Sequence, residues 1–438
     1  MKSKTFVQQV AALFRGNLVH AFSQFGVITL LSVIGDSGAA GTYVLALAMT
    51  APIFMFCDLN LRVARSTDHK YQEEYSSYLG LRSYAIIVAI VATLLICCMF
   101  YPERLTIIVP ILIYRCGESF SNLAYGGLQR MQSSHLIGTS LTQKGLSALV
   151  LLGILIPVSG GNPIVAASGM ALISIFWAIF RDLPLAWKIN VPEATLGFDT
   201  VVKGMSDLNS CRRIAFRALP LGFDAGISSL ALNIPKYCIE AYCGTATFTG
   251  TEALGVFGVL SHLAFSIQKL IGAIGHTGVG VLAKQRSEGN RASFWRLFNK
   301  LLVTSVLVGI AAIIGGMIVI PLLMGWLLGP EYGDYGLIFT LLLASGLTGA
   351  QRIAGRATQA CGQYFAYTMF DVIIFLTSAI TSVTLVKQYG SVGAGIAISL
   401  AFAVGLSATL FHTYKMLWPL DENETIPALA ENNNTTAG

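Results

Sequence analysis

The stretch YRCGESFSNLAYGGLQR, residues 114–130, follows the apolar run LTIIVPILI with no turn signal between them, which places Arg115 and Glu118 inside one hydrophobic helix. An ionisable side chain at a bilayer centre costs about 2.5–3.5 kcal/mol on insertion scales, so such residues normally face a bundle interior or a wet cavity. At helical spacing Arg115, Glu118, Asn122 and Gln129 share one face, and later in the chain His262, Lys269 and His276 share another. Asn17, His20 and Gln24 form a third stripe, and Arg217, Asp224 and Ser228 a fourth. The charged members are Arg15, Arg115, Lys144, Arg217 and Lys269 against Glu118, Asp224 and Asp371, a net cationic set. Arg and Lys grip phosphate oxygens through charge-assisted hydrogen bonds, so the chemistry indicated is binding of an anionic substrate.

Each of these residues also has a plainer reading. Arg115 and Glu118, one turn apart, can neutralise each other as a structural pair. A lone histidine often only satisfies packing, and Arg15, Arg217 and Lys144 near the inner helix ends can snorkel to headgroups. With both readings open, the candidate substrate-binding residues are Arg15, Asn17, Gln24, Arg115, Asn122, Arg217 and Lys269, and the candidate coupling residues are Glu118, Asp224, His262 and His276. Arg115 and Glu118 would then form a switchable pair: ionised together when empty, with Glu118 protonated while Arg115 holds the anion.

The elements that must position these groups are membrane spans. The chain has 438 residues, 54% of them hydrophobic and only 11% charged. Apolar segments of about 18–25 residues, each long enough to cross a hydrocarbon core of about 30 Å, recur along nearly the whole length. Their cores fall at 14–34, 39–57, 83–101, 105–128, 136–157, 163–180, 216–235, 253–281, 301–324, 336–360, 367–386 and 392–411. They are continuously apolar and lack the alternation of lipid-facing strands, which predicts an all-α integral membrane protein of about twelve transmembrane helices. A cytoplasmic N-terminus puts most of the 28 basic residues inside, leaving Arg104, Lys236 and Lys387 outside, so both termini are expected in the cytoplasm. The first span is too long and polar-flanked for a cleaved signal peptide.

The chain also repeats itself. SGAAGTY (37–43) aligns with TEALGVF (251–257), and Phe14-Arg15 with Phe216-Arg217. The offset covers six spans, an even number, so the repeat is parallel about an axis along the membrane normal. The expected organisation is an N-terminal six-helix lobe (1–181), a cytoplasmic linker (182–215) in which VVKGMSDLNSCRRIAF has amphipathic character, a C-terminal lobe (216–416) and a polar cytoplasmic tail (417–438), with a hydrophilic cavity between the pseudo-symmetric lobes.

Other chemistry finds little support. The eight cysteines are scattered through apolar helices without CxxC or paired His ligands, so neither metal, redox chemistry nor a cofactor is indicated. GAIGHTGVG (272–280) lacks the strand–loop–helix context of a phosphate loop, no Walker pattern occurs, and the sequons at Asn423 and Asn433 lie on the cytoplasmic side. Nothing points to nucleic acid. Without a nucleotide-binding module, any pumping must draw on an ion gradient, the membrane potential or the substrate's own gradient.

CDLNLRVARSTD (57–68), GESFSNLAYGGLQR (117–130) and LNIPKYCIEAYCG followed by TEALGVFGVLSHL (232–263) resemble bacterial polysaccharide-repeat-unit flippases of the Wzx type, in the multidrug/oligosaccharidyl-lipid/polysaccharide exporter superfamily. The resemblance implies two six-helix lobes around a V-shaped cavity in the bacterial inner membrane. It implies as substrate an oligosaccharide on a polyprenyl pyrophosphate, moved from the inner to the outer leaflet for O-antigen, capsule or exopolysaccharide assembly, with glycan polymerase and chain-length proteins as partners. A pyrophosphate suits the cationic lining, and Asn17, Gln24, Asn122 and Gln129 offer hydrogen bonds to sugar hydroxyls. The alternative within the superfamily is a drug–cation antiporter, which calls for an anionic cavity. A membrane glycan polymerase or ligase calls for a sizeable outer loop, which the short outer connections do not provide. A topology reporter fused after Gly438 should be active in its cytoplasmic form; periplasmic activity would overturn the orientation.

Overall fold

A computed structural model describes residues 6–68, 73–191, 197–244 and 249–416, all helix or short connection. The N-terminal half contains α1 (Phe6–Ile34), α2 (Ser37–Cys57), the short α3 (Leu61–Thr67), α4 (Tyr75–Phe100), a 3-10 turn (Pro102–Arg104), α5 (Leu105–Arg130), α6 (Ser134–Val158) and α7 (Pro163–Trp177). A π-helical turn (Ala178–Asp182) carries α7 into α8 (Leu183–Asn190), and α9 (Phe198–Ser206) lies between the halves. The C-terminal half contains α10 (Leu208–Tyr242), α11 (Gly250–Ser287), α12 (Arg291–Leu328), α13 (Tyr335–Ala360) and α14 (Tyr364–Met416). Gly390, at φ 58° and ψ −139°, breaks α14 into two antiparallel helices with almost no loop, a conformation open to glycine but costly for residues with a Cβ.

Twelve long helices result, six in each lobe. By length and hydropathy alone eight described stretches could cross a membrane, the broken α14 counting once. Of the others, α5 and α10 are diluted by the polar residues they carry, and α11 lies partly outside the described residues. Apolar side chains such as Val88, Val91 and Leu95 on α4 and Ile314, Ile318 and Leu322 on α12 are exposed at the bundle surface. A belt of this kind is stable only against lipid.

Two boundaries differ from the sequence expectation. The seventh span was expected to end at Pro235, but α10 continues through that proline to Tyr242. The proline removes the hydrogen bond to the Ala231 carbonyl four residues back, and Ser378 Oγ of α14 donates to that carbonyl instead at 2.6 Å. α10 also begins at Leu208, within the stretch expected as linker. The 417–438 tail lies outside the described residues.

The repeated segments meet. A Cβ on Gly41 of α2 would overlap the Thr251 carbonyl oxygen of α11, and a Cβ on Gly255 would overlap the Ser37 carbonyl oxygen of α2. Each glycine lies four residues after the carbonyl its counterpart meets, so the contact is two-fold symmetric. The pseudo-symmetry axis passes between these glycines, and only residues without side chains allow the approach. α2 also packs along α10, where Gly222 and Gly226 lie against Phe56 and Leu59.

Candidate functional site

A cavity of about 260 Å³ lies between the lobes. Arg115 on α5, Gln24 on α1 and Leu47 on α2 line it. Each is about ten residues from the end of its helix on one side of the bundle (the C-terminus of α1 and the N-termini of α2 and α5), which at the α-helical rise is about 15 Å deep, half of a hydrocarbon core of about 30 Å. The C-terminal lobe contributes Ser229, Asn233 and Lys236 from α10 and His262 from α11. Among the described residues the lining holds two cations, Arg115 and Lys236, and no Asp or Glu.

Backbone geometry orients Arg115. In α2, Pro52 cannot bond the Ala48 carbonyl, which accepts instead from Tyr237 Oη of α10 at 2.6 Å. One residue earlier, the Leu47 carbonyl accepts from Arg115 Nη2 at 2.9 Å, and buried Thr50 accepts from Arg115 Nε at 3.2 Å. The guanidinium is thus pinned along one edge, leaving Nη1 available to a ligand. Across the cavity Lys236 Nζ donates to Asn233 Oδ1 at 3.0 Å, and the two cations act on each other electrostatically. Gln24 Nε2 donates to Tyr114 Oη at 3.3 Å and contacts His20 Nε2 at 3.2 Å.

The switchable Arg115–Glu118 pair does not form. Glu118 Oε1 binds Lys144 Nζ at 2.9 Å and accepts from Ser174 Oγ at 3.3 Å. Lys144 does not snorkel either: it is 2% exposed, donates to Ser121 Oγ at 3.0 Å and lies 3.8 Å from Asp182 Oδ2. The π-helical turn after α7 brings Asp182 into the lobe, since its extra residue per turn rotates the following side chains inward. There Asp182 accepts from Ser140 Oγ at 2.5 Å and Tyr125 Oη at 3.1 Å. Glu118, Lys144 and Asp182 are a buried triad of the N-terminal lobe behind the cavity.

The remaining candidates scatter. Arg217 is ion-paired with Glu73 Oε1 at 2.9 Å near the inner end, so it clamps the lobes and does not line the cavity. Arg15 and Asn17 are exposed on the inner half of α1, with Asn17 Nδ2 on the Leu13 carbonyl at 2.9 Å. Asn122 is half-buried on α5, two turns inward of Arg115. His262 is in the lining, its Nδ1 2.9 Å from the Gly258 carbonyl. The side chains of Lys269 and His276 lie outside the described residues.

Asp224 turns away from the cavity into the C-terminal lobe, where its carboxyl group adjoins that of Asp371 of α14. Ser228 Oγ donates to Asp371, and Arg352 and Arg356 of α13 act on Asp224 electrostatically.

Lys236 is the cavity residue that sequence reasoning placed elsewhere, in an outer loop. Its signal was present: Ser229, Asn233 and Lys236 fall at i, i+4 and i+7, readable once the helix is carried through Pro235.

No family model matches the sequence. It is 25% identical to a capsular polysaccharide biosynthesis protein, CapF, of Staphylococcus aureus, over 93% of this chain and 98% of that protein. Among solved structures, a multidrug resistance transporter of the MATE family in the MOP superfamily superposes in its inward-facing form with TM-score 0.63 over 94% of this chain and 96% of that one. Its outward-facing form gives 0.65 over 93% and 94%, both at 15% identity. A MOP superfamily transporter from Pyrococcus furiosus, described as having a binding pocket of reverse polarity that suggests a different function, gives 0.64 at 15% identity, over 93% and 95%. The chain therefore has the two-lobed, twelve-helix fold of these transporters.

Replacing Lys144 by Met should lower the unfolding temperature in detergent, because it removes the cation that Glu118 and Asp182 share and leaves Asp182 with Arg181 alone, at 3.7 Å, a loss of about 3–5 kcal/mol for a broken buried pair. Lys144→Met combined with Glu118→Gln should recover part of that loss. Equal stability of Lys144→Met and wild type would remove the triad's structural role.

Proposed function

We propose that this chain is a lipid-linked oligosaccharide flippase of the bacterial inner membrane, moving polyprenyl-pyrophosphate-linked repeat units to the outer leaflet for polysaccharide assembly. The observation that carries the reading is the lining of the cavity: Arg115 and Lys236, one from each lobe, with no carboxylate among the described lining residues. A drug–cation antiporter needs the opposite sign at this place. The capsule-biosynthesis relative supports a glycan substrate, and the transporter fold supports translocation rather than polymerisation or ligation.

The pyrophosphate takes donors from Arg115 Nη1 and Lys236 Nζ and so joins the lobes at mid-membrane depth. Gln24, Ser229 and Asn233 offer hydrogen bonds to the sugars, and the prenyl chain stays in the bilayer. The N- and C-termini are cytoplasmic, and glycan polymerase and chain-length proteins receive the product outside. Coupling resides in the Asp224–Asp371 pair, because two adjoining carboxyl groups can take up and release a proton when the lobe moves, whereas Glu118 is committed to Lys144. His262 is close enough to the cavity to sense the bound anion.

In vesicles containing the lipid-linked oligosaccharide, Arg115→Gln and Lys236→Gln should each weaken substrate binding, since truncating a desolvated charge contact costs about 2–5 kcal/mol. Normal flipping by the doubly neutral variant at wild-type abundance would overturn the cavity assignment. An imposed pH gradient should change the flipping rate of the wild type and leave that of Asp371→Asn unaffected; the same response in both would show that the carboxyl pair is not the coupling site.

A further inference from the structure

The lobes are also joined by charge at the outer end, above the cavity. Arg104, in the turn between α4 and α5, reaches Glu240 Oε1 of α10 with Nη2 at 3.0 Å. The same guanidinium approaches Thr42 Oγ1 of α2 at 3.3 Å and Thr251 Oγ1 of α11 at 3.4 Å. Thr251 in turn donates to Glu240 at 2.8 Å. Two of these four residues belong to each lobe, and the Gly41–Gly255 crossing lies beside them, Gly41 next to Thr42 and against the Thr251 carbonyl.

We infer that Arg104 and Glu240 are a latch that holds the outer ends of the lobes together and must separate before the cavity can open outward. Position supports this, because a substrate leaving toward the outer leaflet has to part α2 from α11 where Arg104 touches both α2 and the opposite lobe. Energetics support it too. The Arg104 and Glu240 side chains are 24% and 17% exposed, so the pair is partly screened, and an ion pair of this kind contributes modestly and can break and re-form during turnover. The glycine crossing supplies close packing with no side chain to interlock, so polar contacts carry the specific hold between the outer ends. The inner clamp of Glu73 on Arg213 and Arg217 is the matching device at the other end of α10. The inference rests on the transporter fold and is independent of which anion the cavity takes.

The test reads accessibility and not transport. A reporter cysteine at Ala51, in the cavity lining, is treated from the outer face with a membrane-impermeant thiol reagent, and labelling is compared with that of the same chain without the reporter. Glu240→Gln and Arg104→Gln should each raise the labelling rate several-fold, and the exchanged pair Arg104→Glu with Glu240→Arg should return it toward the wild-type rate. Should Glu240→Gln fail to accumulate, Thr251→Val, which removes one hydroxyl of the latch, carries the same expectation. Wild-type labelling in the single variants, or no recovery in the exchanged pair, would overturn the latch.

Discussion

A charge in a hydrocarbon layer has to be neutralised, hydrated or assigned a ligand, and this requirement sorts nearly every ionisable residue of the spans. Lys144 lies between Glu118 and Asp182, and Arg82, fully buried, is paired with Asp58 at the α2–α3 turn. Ser119 adds a hydroxyl to Asp58 at 2.6 Å. Asp224 and Asp371 adjoin inside the C-terminal lobe, with Ser228 donating to Asp371. Among the described residues of the cavity lining, Arg115 and Lys236 are the charges left, facing each other over polar but uncharged neighbours. The cavity's sign is what is left after the lobes have satisfied their own charges. The anion-binding reading therefore depends on pairing elsewhere as much as on the lining itself.

Helical class, the number of spans and the parallel repeat could be read from the sequence because they depend on length, apolar continuity and composition. Partner choice could not. The spacing of Arg115 and Glu118 places both on one face of α5, but spacing does not say which neighbouring helix each side chain turns toward. Glu118's partner is 26 positions away, on α6. Arg115's partners are carbonyl and hydroxyl groups of α2, and the Leu47 carbonyl carries no mark in the sequence. Asp224 and Ser228 looked like cavity residues because they form a stripe on α10. That helix has two polar faces, and the second, Ser229–Asn233–Lys236, is the one that reaches the cavity. The Gly41–Gly255 contact shows the reverse case: the aligned repeat pointed to equivalent positions, and those positions meet on the axis relating the lobes.

Proline is the other recurring theme. Pro52 and Pro235 occupy α2 and α10, and each withdraws a hydrogen bond from a carbonyl in a layer where water is scarce. In both places a hydroxyl from another helix fills the gap, Tyr237 on Ala48 and Ser378 on Ala231. Irregular backbone is tolerated here because it is buried in protein or borders the cavity. The local bending of α2 also presents the Leu47 carbonyl and Thr50 to the guanidinium of Arg115.

The Tyr237–Ala48 bond spans the two lobes, and the carbonyl it covers has no helical partner of its own. Any motion that draws α10 from α2 at this level uncovers a bare acceptor, and a bare acceptor in a dry seam costs several kcal/mol by the usual penalty for an unsatisfied polar group. The seam can part cheaply only where a replacement donor is at hand, and a hydrated cavity or a bound ligand with hydroxyl groups would supply one. Hydration thus becomes a condition of the movement: a wetted or loaded cavity supplies the missing proton donor, while a dry, empty one resists separation.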